Sequence, residues 1–148
     1  MADNFLLFAE SLEDLTPQEE AWLAERLASK DEATNNLDAD DEEDSSGGFE
    51  FEFYDDRSGG RCLKLYAMEA GDPDVAACFV QEFLRRFRPQ ASFGLSWCAS
   101  CSKMRDSEFG GGAIFVTADR IEAWSSGEWL AERERAFLAK RDAATLNR

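Results

Sequence analysis

The sequence predicts an α+β protein in which a mostly antiparallel sheet carries helices packed on one of its faces. The first indication is strict period-two alternation from Phe49 to Tyr54, which is typical of a strand. The second is a set of helix N-cap signals, at Thr16, Asp72 and Ser125. The third is the element order ββαβββα after residue 48. We therefore divide the chain into an N-terminal helical segment (1–28), an acidic connector (29–48) and an α+β domain (49–148).

Helices are predicted throughout the N-terminal segment. Thr16-Pro17-Gln18-Glu19 is a capping box with proline at the first helical position, where its missing N–H costs nothing. The apolar residues from Phe5 to Leu15 predict a second, shorter helix upstream. Together they are predicted to form a helical hairpin, and in the alternative hypothesis of a general interaction module a homodimer assembles through these helices, residues 5–27.

The domain begins with two strands and a helix. Phe49, Phe51 and Phe53 are predicted to face the core, and Arg61–Met68 is predicted to pair with them as the next strand. A helix then starts at Asp72-Pro73. Its buried stripe is predicted to consist of apolar residues four positions apart: Val75, Phe79, Phe83 and Phe87.

Three more strands and a helix complete the domain. Phe93–Ala99 alternates again, residues 100–112 are predicted to form a loop, and 113–117 and 120–124 form a tight hairpin. The glycines at the end of the loop let the backbone turn sharply or pass close to Trp97. The predicted core comprises Phe49, Phe51, Phe53, Leu63, Leu65, Phe79, Phe83, Leu95, Trp97 and Phe137.

Composition excludes several classes of function. The 148 residues include no His, which is the commonest general base and zinc ligand, so a non-enzymatic protein without a cofactor is expected. A net charge of −15 opposes direct binding of nucleic acid, whose affinity for proteins comes largely from cations on phosphates. The absence of a long apolar run and of a signal sequence predicts a soluble, cytoplasmic protein without membrane binding.

The negative charge is concentrated in the first third of the chain. Residues 1–56 contain 19 acidic and 2 basic residues, whereas residues 57–148 contain 12 acidic and 14 basic residues. Six of the carboxylates lie within residues 38–44. Such a block is either a solvated linker or an acidic surface presented to a basic partner, and charge patterning alone leaves both interpretations open.

Four cysteines raise the question of redox or metal chemistry. Trp97-Cys98-Ala-Ser-Cys101-Ser-Lys103 resembles the active site of the thioredoxin family, in which the first Cys is the attacking thiolate. The glycines at 110–112 prevent a long helix from following, and the family's facing proline is missing. A zinc site is disfavoured because there is only one C-x-x-C pair. The acidic block also lacks the Gly and the Glu of a calcium loop.

The remaining hypothesis is an acidic surface that imitates a phosphate backbone. Side chains two residues apart on a strand are about 6.6 Å apart on one face, so a row of carboxylates fits a channel lined with Lys and Arg. The partner is then a basic nucleic-acid-binding protein. The residues predicted to contact it are Asp38, Asp40, Asp41, Glu42, Glu43, Asp44, Glu50, Glu52, Asp55 and Asp56.

The segment Phe93–Thr117, with Trp97, Cys101-Ser-Lys103 and Glu108-Phe-Gly-Gly-Gly-Ala113, resembles small uncharacterised proteins of phages and proteobacterial plasmids. The wider class of small acidic proteins on mobile elements includes anti-CRISPR and anti-restriction inhibitors. In its size, its charge and its lack of catalytic residues the chain is similar to that class, so we expect an inhibitor that binds a CRISPR effector or another defence complex in the host cytoplasm. The alternatives are a general protein-interaction module with a solvated acidic linker, and a C-x-x-C thiol redox protein.

Overall fold

A six-stranded antiparallel sheet forms the centre of the protein. The computed structural model describes residues 3–35 and 48–146. In chain order the elements are β1 (Asn4–Leu12), α1 (Pro17–Asn35), β2 (Glu50–Asp55), β3 (Arg61–Ala67), α2 (Pro73–Phe87), β4 (Ser92–Cys101), β5 (Gly110–Thr117), β6 (Ile121–Ser125) and α3 (Ser126–Leu146). The order from β2 onward is the predicted ββαβββα, and the predicted α+β class is confirmed.

The strands lie side by side in the order β2-β3-β1-β4-β5-β6. The first six elements therefore form two interlocked βαβ units, because β3 lies between β1 and β2, and β1 lies between β3 and β4. This is the split βαβ, or ferredoxin-like, arrangement, extended at one edge by the β5–β6 hairpin. β2 and β6 are the two edge strands.

The prediction of a helix over Phe5–Leu15 is wrong, because residues 4–12 form the central strand β1. Phe8 pairs with Ala67 of β3 on one side and with Trp97 of β4 on the other. A short apolar run has no clear period, and only its partners decide between helix and strand. An N-terminal helical hairpin, and a dimer built on it, therefore have no basis in the structure.

α1 begins with the predicted capping box. The Thr16 hydroxyl accepts a hydrogen bond from the Glu19 N–H at 3.1 Å, and the Glu19 carboxylate accepts one from the Thr16 N–H at 2.9 Å. The helix continues to Asn35, which is seven residues beyond residue 28, the predicted end of the helical segment. Glu19 is buried, and its carboxylate also accepts a hydrogen bond from Arg88 at 2.8 Å, which ties the start of α1 to the end of α2.

α1 and α2 cover one face of the sheet, as predicted. Trp22 of α1 packs on Phe79, Phe83 and Phe87 of α2, with ring centroids 5.7–6.4 Å apart. The Asp72 carboxylate caps α2 by accepting hydrogen bonds from the N–H groups of residues 74 and 75. The buried stripe differs from the prediction, since Val75 is exposed. The residues of α2 that are buried are Pro73, Ala76, Ala77, Val80, Phe83 and Leu84.

The glycines at 110–112 belong to β5 and not to a loop, which corrects the prediction for residues 100–112. Gly112 pairs with Trp97, as Gly111 does with Cys98. A Cβ atom on Gly112 would lie 2.6 Å from Cζ2 of the Trp97 ring. The predicted close approach of this segment to Trp97 is therefore confirmed, and it explains the need for glycine.

α3 is different from the other two helices. Ser125 caps it, its hydroxyl accepting a hydrogen bond from the Glu128 N–H at 3.3 Å. None of its residues is buried. The prediction that Phe137 belongs to the core is wrong, because 66% of this side chain's surface is exposed.

Of the other predicted core residues, Phe49, Leu63, Leu65, Phe83 and Leu95 are buried. Phe51, Phe53, Phe79 and Trp97 are partly buried and packed against that cluster. Across the described residues, no helix combines the length and the apolar content that crossing a bilayer requires.

Candidate protein-binding surface

The edge strand β2 presents carboxylates on the face of the sheet that α1 and α2 leave uncovered. Glu50 and Glu52 are exposed and stand opposite Tyr66 and Lys64 of β3. The alternate residues Phe51 and Phe53 turn to the covered face and pack against the core, their rings in edge contact at 6.5 Å. The alternation in sequence thus becomes an apolar inner row and an acidic outer row.

Glu50 and Glu52 form no ion pair with the side chains that the structure describes. The nearest basic residue in the register, Lys64, places its Nζ 5.8 Å from the centre of the Tyr54 ring. Tyr54 in turn donates a hydrogen bond to the Ser11 hydroxyl at 3.0 Å, which fixes that ring against β1. The two glutamates therefore keep their charge available to a partner.

Asp55 is exposed at the end of β2, but its charge is shared with Arg61. The guanidinium lies 3.4 Å from the Asp55 carboxylate and 2.9 Å from that of Glu20 on α1. The hydrogen bond to Glu20 and the charge of Asp55 both raise the pKa of Arg61. By the alternation of the strand, Asp55 lies on the covered face, beside α1, and does not continue the acidic outer row.

The structure gives Asp56 a role inside its own loop. Its carboxylate accepts hydrogen bonds from the hydroxyl and N–H of Ser58 and from the N–H of Gly60, at 2.7–2.9 Å. These hydrogen bonds lower the pKa of Asp56, and the bond from the Ser58 hydroxyl contributes most. Because its oxygens are already used, Asp56 organises the β2–β3 turn. The predicted acidic block Asp38, Asp40, Asp41, Glu42, Glu43 and Asp44 lies outside the described residues and stays a prediction.

A second acidic surface escaped the sequence analysis. A cleft of about 750 Å³ lies between the start of β1 and the end of β4. The start of α2 and the segment before β5 also line it. Its lining includes Trp97 and four carboxylates that are far apart in sequence: Glu69, Asp72, Asp74 and Glu108. Only the strand register brings these residues together, so no local motif marks them.

The thioredoxin-like motif does not form a thioredoxin-like site. Cys98 and Cys101 both lie within β4, where residues three apart are about 10 Å apart and point to opposite faces. A disulfide requires Cα atoms about 4.4–6.8 Å apart, so these thiols cannot bridge without breaking the strand. Within residues 3–35 and 48–146, no three Cys, Asp or Glu side chains are arranged to hold a metal ion.

Sequence comparison assigns no family to this chain, since neither a protein-family model nor a curated protein matches it. Among solved structures, the chain is similar to LarC2, the C-terminal domain of a cyclometallase involved in the synthesis of the NPN cofactor of lactate racemase, in its apo form. The identity is 12% and the TM-score 0.35, with 93% of this chain and 88% of that chain covered.

Proposed function

We propose that this protein acts by binding, as an inhibitor of anti-CRISPR type whose acidic edge occupies the nucleic-acid site of a basic defence protein. The observation that carries the proposal is the pair Glu50 and Glu52, exposed on an edge strand without an ion partner among the described side chains. Natural edge strands commonly carry Lys or Pro to prevent unwanted pairing. Here the edge carries carboxylates, which favour a basic partner.

The support is electrostatic and geometric. Glu50 and Glu52 stand on one face of a strand held by β3, so they meet a partner with little further loss of backbone freedom. Opposite charge on the two proteins speeds association and makes it sensitive to salt. In the same proposal, the acidic block at residues 38–44 supplies further carboxylates to the partner.

Competition with nucleic acid tests the proposal directly. Purified CRISPR effectors and restriction enzymes are each loaded with a fluorescent guide RNA or DNA, and the protein is titrated in while anisotropy is followed. We expect displacement from at least one of them, weaker at high salt. Charge reversal by Glu50→Lys with Glu52→Lys is expected to weaken displacement by about tenfold or more.

A matched control separates the surface from net charge. The pair Glu128→Lys and Glu132→Lys changes the net charge by the same amount on exposed positions of α3. It is expected to leave displacement almost unchanged. Equal losses in the two variants, or no displacement from any protein tested, contradict the proposal. Reversal of Asp40, Asp41, Glu43 and Asp44 together tests the acidic block in the same assay.

A further inference from the structure

α3 carries an apolar and basic side that nothing in the described chain covers. Trp129, Arg133 and Phe137 are four residues apart and share one side of the helix. The Arg133 guanidinium lies 5.3 Å from the centre of the Trp129 ring, which confirms that the two side chains are neighbours. Leu130, Lys140 and Arg141 flank this row. We name these six residues the α3 binding side.

A helix of this kind is only weakly stabilised when its apolar side packs on nothing. Phe137 is 66% exposed and Leu130 60% exposed. Helices in proteins owe most of their stability to packing of an apolar face, because isolated ones are marginal in water. A 21-residue helix with four large apolar side chains in solvent, three of them on the α3 binding side, therefore indicates a binding partner.

The uncovered face of the sheet is the matching surface. It exposes Phe115 and Trp124 beside a shallow depression of about 700 Å³, whose lining includes Leu7, Ala9 and Tyr66. Further along the same face stand Glu50 and Glu52 of β2. This surface is thus apolar in its middle, with Glu50, Glu52 and Lys64 toward β2 and Glu122 toward β6. Glu122 already pairs with Arg120 at 3.1 Å, so the carboxylates without an ion partner lie toward β2, where the α3 binding side offers apolar and basic groups.

The dimensions agree as well. A helix of 21 residues is about 32 Å long, and six strands about 4.8 Å apart span about 24 Å. One helix therefore crosses the whole sheet. If its first turn lies toward β6, its basic second half reaches Glu50 and Glu52.

We infer that the protein forms a two-fold symmetric homodimer in which α3 of each copy lies across the uncovered sheet face of the other. A two-fold interface is self-complementary, so each copy contributes one helix and one sheet face. The dimer covers Phe137, Phe115 and Trp124 and pairs Lys140 and Arg141 with Glu50 and Glu52. Self-association and target binding then compete for the two glutamates, although the inference does not rest on the proposed function.

Sedimentation equilibrium of the full chain over a range of concentrations tests this interface. The unsubstituted protein is expected to be a dimer, and Phe137→Glu is expected to weaken dimerisation by about tenfold or more. Leu146→Glu is the matched control, because Leu146 is 85% exposed and lies nine residues further on, on the opposite side of α3. It is expected to dimerise normally. Unchanged circular dichroism shows that both variants fold.

Charge exchange gives a sharper test. The variants Glu50→Lys/Glu52→Lys and Lys140→Glu/Arg141→Glu are each expected to be largely monomeric, because like charges face each other twice. Mixed in equal amounts they are expected to form a heterodimer, in which both contacts regain opposite charges. A monomeric unsubstituted protein, a dimer indifferent to Phe137→Glu, or a mixture without heterodimer overturns the inference.

Other occupants and the proposed function remain distinguishable in these assays. A monomer that sediments with vesicles containing anionic phospholipid would assign α3 to a membrane surface and overturn the dimer. Phe137→Glu is expected to displace nucleic acid at least as well as the unsubstituted protein, because a weaker dimer frees the two glutamates, whereas Glu50→Lys/Glu52→Lys removes both activities. In Glu50→Lys/Glu52→Lys, therefore, loss of only one of the two activities shows that the conclusion tied to the retained activity is false.

Discussion

α2 and α3 are both long helices with a side-chain N-cap, yet only α2 is part of the folded core. α2 has 15 residues, of which six are buried, and α3 has 21 residues, of which none is buried. The difference lies in spacing. In α2 the apolar residues recur on one face, whereas in α3 charged residues such as Arg133 and Lys140 interrupt the apolar row. Helix formation and core formation are thus separate requirements, and α3 meets only the first.

The largest expected difference in the free energy of unfolding is between the same Phe→Ala truncation made in α2 and in α3. Phe83→Ala in α2 removes a ring that is fully buried against Trp22 and Phe87, so the free energy of unfolding is expected to fall by about 3–5 kcal/mol. Phe137→Ala in α3 is expected to change it by less than about 0.5 kcal/mol. Urea denaturation at low protein concentration, where self-association is weakest, measures both. Similar losses would show that α3 belongs to the cooperative core.

The ion pair that joins α1 to the end of α2 is expected to give the next largest effect on the free energy of unfolding. Burial raises the pKa of Glu19, but hydrogen bonds from Arg88 and Thr16 outweigh it and lower the pKa overall. Glu19→Gln is expected to cost about 1–3 kcal/mol at neutral pH. Because the folded-state pKa is the lower one, the contribution of Glu19 is present above the unfolded pKa and is lost as the pH falls through the folded value.

Denaturation of Glu19→Gln and the unsubstituted protein from pH 7 to pH 3, where the unfolded pKa of Glu is about 4.3, checks the sign. The difference between the two proteins is expected to shrink as the solution becomes acidic. Glu82→Gln is the control, since Glu82 and Arg26 form an ion pair at 3.5 Å with both side chains about half exposed. Its effect is expected to stay below about 1 kcal/mol. A gap that widens in acid would contradict this account.

The smallest expected change in the free energy of unfolding comes from removing the N-caps of α2 and α3. Asp72→Ala removes the acceptor for the N–H groups at the start of α2 and is expected to cost about 1 kcal/mol in the free energy of unfolding. Ser125→Ala removes the same kind of bond from α3. Because α3 packs on little, this change is expected to fray the helix locally. Hydrogen exchange of the first turn of α3 is then faster, while the global value hardly moves. An equal global loss would show that the two helices unfold together.

Local signals in the sequence predicted α1 and most of the elements after residue 48. The alternation at Phe49–Tyr54, the caps at Thr16 and Asp72, and the hairpin between β5 and β6 all appear in the structure. Each is a short-range pattern, which depends on neighbours within a few residues. The failures concern longer-range questions, such as whether Phe5–Ala9 lies between two strands.

The acidic row shows the same division. The alternation of Glu50 and Glu52 with aromatic residues predicts that they share one face of a strand, and they do. It does not reveal that Asp56 is engaged by Ser58 and Gly60 in its own turn. The carboxylates around Trp97 were missed because they come from separate segments.

The sequence by itself determined where the three helices begin and that residues 50–54 form a strand, because capping groups and side-chain alternation act within a few residues. It also determined the sign and the uneven distribution of charge. Tertiary structure decided that the first apolar segment is the central strand, that Cys98 and Cys101 point to opposite faces, and that Phe137 stays outside the core. The physical reason is that pairing register and burial depend on residues that are distant along the chain and meet only when the sheet is complete.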